Sequence, residues 1–133
     1  PACTKTVRRF PDMRFVLDHI AKPNIKEKQT EPWSARMKEL AKLPNVWVKV
    51  SGMITEADWY SWKPEDLRPY VQSLLEWFGP ERLIFGSDWP VCTLAGTYSQ
   101  VCGAAAYALG NLGQSEMDGV FGGNAVKAYN LTL

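Results

Sequence analysis

The sequence predicts an α/β protein whose strands lie in a parallel sheet covered by helices. Three short apolar runs, each placed after a turn signal, have the β-branched and aromatic composition of buried strands. Helical patterns separate these runs, and alternation of strands with helices is typical of parallel sheets. Repeats of about 35 residues suit the units of a (β/α) barrel, whereas a complete barrel needs about 250 residues. The 133 residues therefore predict an incomplete barrel with exposed sheet edges.

The predicted strands are "RFVLD" (14–18), "NVWVKV" (45–50) and "RLIF" (82–85). The first follows a turn signal at Pro11-Asp12, and the third follows a helix stop at Gly79-Pro80. A partial helix over 3–10 is expected before the first strand.

Two helices are predicted between the strands. The first covers 31–43 after a cap at Thr30, with Pro32 in its first turn. The second follows a cap at Asp66 and has apolar residues at i, i+3, i+4, i+7, i+8 and i+11 from Leu67. This second pattern is the clearest helical signal in the chain.

Three further helical segments are predicted after the third strand. Thr97 is expected to cap a helix over 98–109, and Ser115 has capping-box spacing for a short helix at 115–120. Gly122-Gly123 is expected to break the chain, after which Asn124 would cap a last turn.

Composition narrows the classes of function. The chain is 46% hydrophobic and 22% charged with a formal net charge of +1, which argues against disorder and gives no basic surface for nucleic acid. No apolar run approaches the roughly 18 residues of a membrane span, and no signal core is visible, so a cytoplasmic location is expected. Three cysteines without CxxC spacing predict reduced thiols rather than a disulfide framework or a cysteine zinc site.

Each predicted strand is followed by a side chain capable of chemistry. His19 follows the first strand, Lys49 lies at the end of the second, and Asp88 follows the third. Ligands of parallel α/β proteins bind beyond the carboxyl ends of the strands. The three side chains are therefore expected at one edge of the sheet, where imidazole and carboxylate could transfer a proton or bind a metal.

Each of these residues also has a structural interpretation, which the sequence leaves open. His19 could be a hydrogen-bonded residue at a strand end, and Lys49 could be paired or extended towards solvent. Asp88 could be a turn or N-cap aspartate. A chemical role for Asp88 is favoured because Gly86 leaves room on the same face and Trp89-Pro90 is expected to shield the carboxylate from water.

Four segments together resemble a known family. "RFVLDHIAKP", "VWVKVSGM", "RLIFGSDWPV" and "FGGNAVKAYNL" are similar to the C-terminal half of the amidohydrolase-related family (amidohydrolase 2), in the sugar-lactonase branch that includes L-fuconolactonase and L-rhamnonolactonase. The resemblance implies that residues 1–133 are the C-terminal portion of one (β/α)8 TIM-barrel domain, namely its last three βα units. The family's H-x-H pair has no counterpart, because His19 is the only histidine.

The resemblance also implies roles for individual residues. Asp88 matches the aspartate that takes a proton from the attacking water, and His19 matches a histidine that polarises the carbonyl, so both are candidate catalytic residues and candidate metal ligands. Family members with one divalent, zinc-like metal and members without metal are both described, so both alternatives are kept. Candidates for binding the substrate are Lys22, Lys49, Trp59 and Trp89, because aromatic rings suit a sugar face and lysines suit oxygen-rich groups.

The function expected from the resemblance is hydrolysis of a sugar-acid lactone by an Asp-activated water, as part of carbohydrate metabolism. This chain alone is expected to be incomplete and weakly active or inactive. Two alternatives remain, a decarboxylase-type member of the same superfamily and a non-enzymatic remnant that acts as a binding module. The expected partner is a small-molecule sugar lactone, without nucleic acid or membrane, and self-association through the exposed sheet edges is expected.

Overall fold

A computed structural model describes residues 2–132 of the chain as three strands and seven α-helices, with short 3-10 and π-helical segments between them. The strands are β1 (Phe15–Leu17), β2 (Val46–Val50) and β3 (Leu83–Phe85). The helices are α1 (Ala2–Arg9), α2 (Trp33–Ala41), α3 (Met53–Glu56), α4 (Pro64–Phe78), α5 (Tyr98–Leu109), α6 (Gln114–Asp118) and α7 (Asn124–Tyr129). The strands form one sheet in the order β1-β2-β3, and both strand pairs are parallel. The predicted α/β class with a parallel sheet is confirmed.

The starts of α2 and α4 differ from the predicted ones. α2 begins at Trp33 rather than after a Thr30 cap, because a residue before proline, here Glu31, is disfavoured in helical conformation. α4 begins at Pro64, so Asp66 lies in the third position and is not the cap. The carboxylate of Asp66 accepts a hydrogen bond of 2.9 Å from the backbone N–H of Lys63.

The C-terminal segment is continuous where a break was expected. A π-helical turn over Gly119–Gly123 connects α6 to α7, so Gly122-Gly123 does not interrupt the helical path. Asn124 is buried, and its side-chain amide donates to the carbonyls of Pro80 and Leu83 at 2.8 Å each instead of capping α7. The predicted cap of α5 is confirmed, since the hydroxyl of Thr97 accepts from the N–H of Gln100.

The two faces of the sheet have different chemistry. Alternation along β2 puts Val46, Val48 and Val50 on one face, where they are fully buried in the core formed with the helices. Trp47 and Lys49 point to the opposite face and are half-buried. We call this opposite face the polar face, because it also carries the polar side chains at the carboxyl ends of the strands.

The three cysteines are free thiols, as predicted. Cys92 is buried and Cys102 is half-buried, whereas Cys3 is exposed on α1. Among residues 2–132, no helix has both the length and the apolar character needed to span a membrane.

Candidate functional site

The carboxyl ends of the three strands bring His19, Ser51 and Asp88 together. The Nδ1 atom of His19 lies 2.9 Å from the hydroxyl oxygen of Ser51, within hydrogen-bonding distance. On the other side of the same ring, Nε2 lies 3.8 Å from Oδ1 of Asp88. His19 and Asp88, which lie 69 residues apart in the sequence, therefore face each other with a gap slightly too wide for a direct hydrogen bond.

Both His19 and Asp88 have left-handed backbone conformations. The residues from His19 to Lys22 form a left-handed turn with φ between 45° and 60°, and Asp88 has a φ of 58°. Such values are uncommon outside glycine, and for the β-branched Ile20 they are true outliers. Strained backbone of this kind clusters at functional sites, where the surrounding structure enforces it.

Tertiary contacts hold the left-handed turn in place. The side chain of Ile20 is fully buried in the core, and its carbonyl accepts a hydrogen bond of 2.6 Å from the indole N–H of Trp33. The backbone N–H of Lys22 donates to the carbonyl of His19 at 2.8 Å. These contacts fix the direction in which the His19 side chain leaves the turn.

Two glycines make room for the site. Gly52 has a φ of 61°, and a Cβ there would lie 2.8 Å from Nδ1 of His19. A Cβ on Gly86 would lie 3.1 Å from Cβ of Ser51 and 3.2 Å from Cδ of Lys49. Glycine at these positions therefore lets the imidazole and the polar face of β2 approach the neighbouring backbone.

Lys49 pairs with Asp18 on the polar face, next to His19. Its ammonium lies 2.5 Å from Oδ1 of Asp18. The hydrogen bond lowers the pKa of the Asp18 carboxyl and raises the pKa of the Lys49 ammonium. Both groups are therefore charged around neutral pH.

Lys22 also pairs with a carboxylate beside the site. Its ammonium lies 2.6 Å from Oε1 of Glu56. This hydrogen bond raises the pKa of Lys22, and the negative charge of Asp88 adds to the effect.

The two predicted tryptophans lie in different surroundings. Trp89, directly after Asp88, is 66% exposed, so its side chain does not provide the shielding from water that the sequence led us to expect. The Asp88 carboxylate is nevertheless largely buried, with 15% of its side-chain surface exposed. Trp59 lines a surface cavity of about 440 Å³ whose walls include Trp62 and Gln100 but neither His19 nor Asp88.

The donors present do not complete a metal site. His19 and Asp88 offer one imidazole nitrogen and one carboxylate, whereas catalytic zinc sites use three protein ligands. In the described part of the chain, no group of three or more His, Cys, Asp or Glu side chains is arranged to bind a metal ion. The residues of this chain therefore do not fit a zinc ion by themselves.

Ser51, Asp18 and Glu56 were not predicted as site residues. Ser51 lies on the same face of β2 as Lys49 by simple alternation, so the sequence contained a signal for it. Asp18 follows the same rule directly after β1, two residues beyond Val16. Glu56 belongs to α3, a four-residue helix for which the sequence gave no clear pattern.

Comparison with known proteins identifies relatives along nearly the whole chain. A sequence profile described as amidohydrolase matches residues 1–131. An L-fucono-1,5-lactonase of Burkholderia ambifaria is 43% identical over 98% of this chain and 46% of its own length. An L-fucono-1,5-lactonase of Burkholderia multivorans is also 43% identical, over 93% of this chain and 49% of its own length. The chain thus spans about half the length of the curated relatives it matches.

A solved structure agrees with the sequence comparison. The crystal structure of an amidohydrolase from Burkholderia multivorans with bound zinc superposes with a TM-score of 0.87 at 40% sequence identity. The superposition covers 97% of this chain and 48% of the crystallised one. The parallel sheet and its helices therefore have the arrangement found in part of that protein.

Proposed function

This chain belongs to the amidohydrolase family, and we propose that it supplies the catalytic aspartate and histidine of an enzyme that hydrolyses a sugar-acid lactone. In this proposal, residues 1–133 form the C-terminal portion of a single (β/α)8 barrel and contribute its last three βα units. The 43% identity to two L-fucono-1,5-lactonases supports the reaction class. The three parallel strands and the match to about half of each relative support the partial barrel.

The observation that carries the proposal is the pairing of His19 with Asp88. Their side chains face each other at 3.8 Å beyond the ends of β1 and β3. The side chains of His19 and Asp88 are 29% and 15% exposed, and both residues have left-handed backbone conformations. Ordinary turn chemistry would account for a left-handed aspartate, but it would not require a histidine from another strand opposite it.

The proposed reaction uses Asp88 as the general base and His19 as the group that polarises the carbonyl. An oxygen of the Asp88 carboxylate accepts a proton from water, and the water oxygen bonds to the lactone carbonyl carbon. A His19 N–H donates to the carbonyl oxygen as negative charge develops there. The bond between the carbonyl carbon and the ring oxygen then breaks, and the leaving oxygen takes the proton from Asp88.

We assign substrate binding to Lys22, Lys49, Trp59 and Trp89. The ammonium groups pair with carboxylates, that of Lys22 with Glu56 and that of Lys49 with Asp18 on the polar face. In this assignment both also hydrogen-bond the hydroxyl oxygens of a sugar. Trp89 presents an exposed ring next to Asp88. The ring of Trp59 lines a separate cavity that contains neither His19 nor Asp88.

A divalent metal remains a proposal for the whole enzyme. The related amidohydrolase of Burkholderia multivorans was crystallised with zinc, and His19 with Asp88 would provide two of the ligands such an ion needs. The remaining ligands would have to come from residues that this chain does not supply. The reaction written above uses side chains of this chain only.

Two other functions are kept as alternatives. A decarboxylase-type reaction would use the same pair of residues on a different substrate. A non-enzymatic binding module is favoured by one observation, that β1 and β3 each pair on one side only among the described residues. Self-association through these edges and a cytoplasmic location stay predictions.

The test joins this chain to the part of the Burkholderia ambifaria lactonase that it does not cover. We expect the fusion protein to hydrolyse L-fucono-1,5-lactone and the Asp88→Asn variant to lose activity by about 10²- to 10⁴-fold, as for removal of a general base. Asparagine tolerates the left-handed backbone at this position, so the fold should be preserved. The isolated chain should show no substantial turnover.

A matched control is Asp12→Asn, which changes an exposed carboxylate in the turn before β1 and should leave turnover unchanged. Substantial residual activity of the Asp88→Asn fusion would contradict the role of Asp88. Robust turnover by the isolated chain would contradict the incomplete site. A folded fusion protein without lactonase activity would favour the alternative functions.

A further inference from the structure

We propose that Ser51 is a positioning residue that donates its hydroxyl proton to Nδ1 of His19 and thereby keeps the imidazole proton on Nε2, facing Asp88. The contact itself does not depend on the reaction. Its consequence for catalysis rests on the metal-free reaction proposed above, because a metal ion bound to Nε2 would exclude a proton there.

Ser51 is a buried residue in contact with His19. The residue is 2% exposed, and its hydroxyl oxygen lies 2.9 Å from Nδ1 of His19. A Cβ on Gly52 would lie 2.8 Å from the same Nδ1 atom, so the ring packs closely against the backbone beside Ser51. The contact is therefore made between a buried hydroxyl and a closely packed ring.

The position of Asp88 indicates the direction of the hydrogen bond. A carboxylate oxygen accepts hydrogen bonds, so it favours a ring nitrogen that carries a proton. Nε2 of His19 faces Oδ1 of Asp88 at 3.8 Å. In a neutral imidazole only one nitrogen carries hydrogen, so a proton on Nε2 makes Nδ1 an acceptor. The Ser51 hydroxyl, which can donate or accept, must then donate.

This tautomer matters for the proposed reaction. With the proton on Nε2, His19 presents a donor to the space beside Asp88, where it can polarise a carbonyl oxygen. With the opposite tautomer, Nε2 would present a lone pair that repels both the carbonyl oxygen and the Asp88 carboxylate. Ser51 thus acts through His19 and does not touch the reacting atoms.

His19 is the only histidine of the chain, so every imidazole signal in an NMR spectrum of the chain comes from this residue. Two-bond ¹⁵N–¹H couplings of the ¹⁵N-labelled chain at about pH 9, where histidine side chains are neutral, report which ring nitrogen carries the proton. We expect the Nε2–H tautomer in the wild-type chain and a mixture of tautomers in Ser51→Ala. Ser51→Thr, which keeps the hydroxyl, should restore the wild-type pattern.

A matched control is Ser73→Ala, which removes a half-buried hydroxyl within α4 that makes none of the His19 contacts described above and should leave the His19 signals unchanged. An Nδ1–H tautomer in the wild-type chain would overturn the direction of the hydrogen bond, even if the variants did not fold. An unchanged tautomer in a folded Ser51→Ala chain would overturn the positioning role.

In the fusion protein, Ser51→Ala should lower kcat by about tenfold with little change in KM, as for other supporting groups that orient a site histidine. Equal loss in Ser73→Ala would contradict a specific role of Ser51. Because the tautomer is measured without substrate, failure of this inference is distinguishable from failure of the lactonase proposal. A fusion protein that is inactive but has the expected tautomers would overturn only the proposed reaction.

Discussion

The two ends of the sheet use polar side chains in opposite ways. At the amino end, side-chain donors bind backbone carbonyls: Asn45 to Phe10 and Met13, Arg82 to Ala41, Leu43 and Phe78, and Asn124 to Pro80 and Leu83. At the carboxyl end the indole of Trp33 binds the carbonyl of Ile20 in the same way, but side chains also contact one another: His19 with Ser51 and Asp88, and Lys49 with Asp18. The first pattern closes loops and helix ends, whereas the second brings reactive groups from different strands together.

Most left-handed non-glycine residues lie at the carboxyl end, namely those from His19 to Lys22 and Asp88. Two others lie elsewhere, Lys28 in the turn before α2 and Asn130 directly after α7. Strain at the carboxyl end is offset by contacts that hold the turn, such as the hydrogen bond from the indole of Trp33 to the carbonyl of Ile20. The comparison predicts that variants at the amino end reduce stability, while variants at the carboxyl end mainly disturb His19 and its neighbours.

The largest effect on stability is expected for Arg82→Met at the amino end. The guanidinium donates to Phe78 and Leu43 at 2.9 Å and to Ala41 at 3.0 Å, so it satisfies carbonyls at the ends of both α2 and α4. Hydrogen bonds from a charged donor each contribute about 1.5–3 kcal/mol, less where water can replace the donor. We therefore expect a loss of about 3 kcal/mol in the free energy of unfolding, measured by urea denaturation.

The matched control for Arg82→Met is Arg36→Met, which removes an exposed guanidinium from α2 and should change stability by less than about 0.5 kcal/mol. The Arg82→Met fusion protein should keep wild-type kcat when folded. A selective loss of kcat without a loss of stability would contradict the claim that side chains at the amino end stabilise the fold and do not serve the site.

The sequence predicted the scaffold well because its signals are local. The runs around Val16, Val48 and Ile84 alternate with helical patterns, and each predicted strand differs from the observed one by at most one residue at either end. The rule that parallel strands present ligands at their carboxyl ends also predicted that His19 and Asp88 would lie at the same edge. The structure adds the distance between them, 3.8 Å.

Other features depend on contacts between distant segments and had no local signal. A left-handed turn is unfavourable for Ile20, and only its burial together with the hydrogen bond from Trp33 explains it. The role of Asn124 as a donor to Pro80 and Leu83 likewise requires α7 to pack beside the start of β3. Capping propensity alone therefore gave the wrong interpretation of Asn124.

A smaller loss of stability is expected for Gly52→Ala at the carboxyl end. Alanine at a φ of 61° is strained by about 1–2 kcal/mol, and the added Cβ would lie 2.8 Å from Nδ1 of His19. We expect a loss of about 2 kcal/mol in the free energy of unfolding, together with displacement of the imidazole from Ser51. Urea denaturation measures the loss of stability, and the NMR signals of the His19 ring report the displacement of the imidazole.

The matched control is Gly103→Ala in α5, where an added Cβ meets nothing within 4 Å. This change should stabilise the chain by about 0.5–1 kcal/mol, because alanine favours helix over glycine. If Gly52→Ala left the His19 signals in their wild-type positions, close packing of the ring against residue 52 would be refuted.

The smallest effect is expected for Asp18→Asn, which breaks the pair with Lys49. The Asp18 side chain is 61% exposed, so solvent screening limits its contribution to less than about 1 kcal/mol. The pKa of Asp18 is lowered in the folded chain. Its contribution to the free energy of unfolding is therefore complete above the ordinary carboxyl pKa of about 3.9 and is lost as pH falls through the pKa of the folded chain. The pKa of Lys49 is raised, so its contribution to the free energy of unfolding is complete below about pH 10.4 and is lost as pH rises through the pKa of the folded chain.

The stability difference between the wild-type chain and Asp18→Asn should therefore be constant from about pH 5 to 9 and should shrink below about pH 4. Urea denaturation at pH values across this range measures it, and Arg82→Met serves as the comparison because no carboxylate takes part in its hydrogen bonds to Ala41, Leu43 and Phe78. A difference above about 2 kcal/mol, or one that grows in acid, would show that Asp18 supports the fold as Arg82 does. The carboxyl end would then share the structural role that we assign to the amino end.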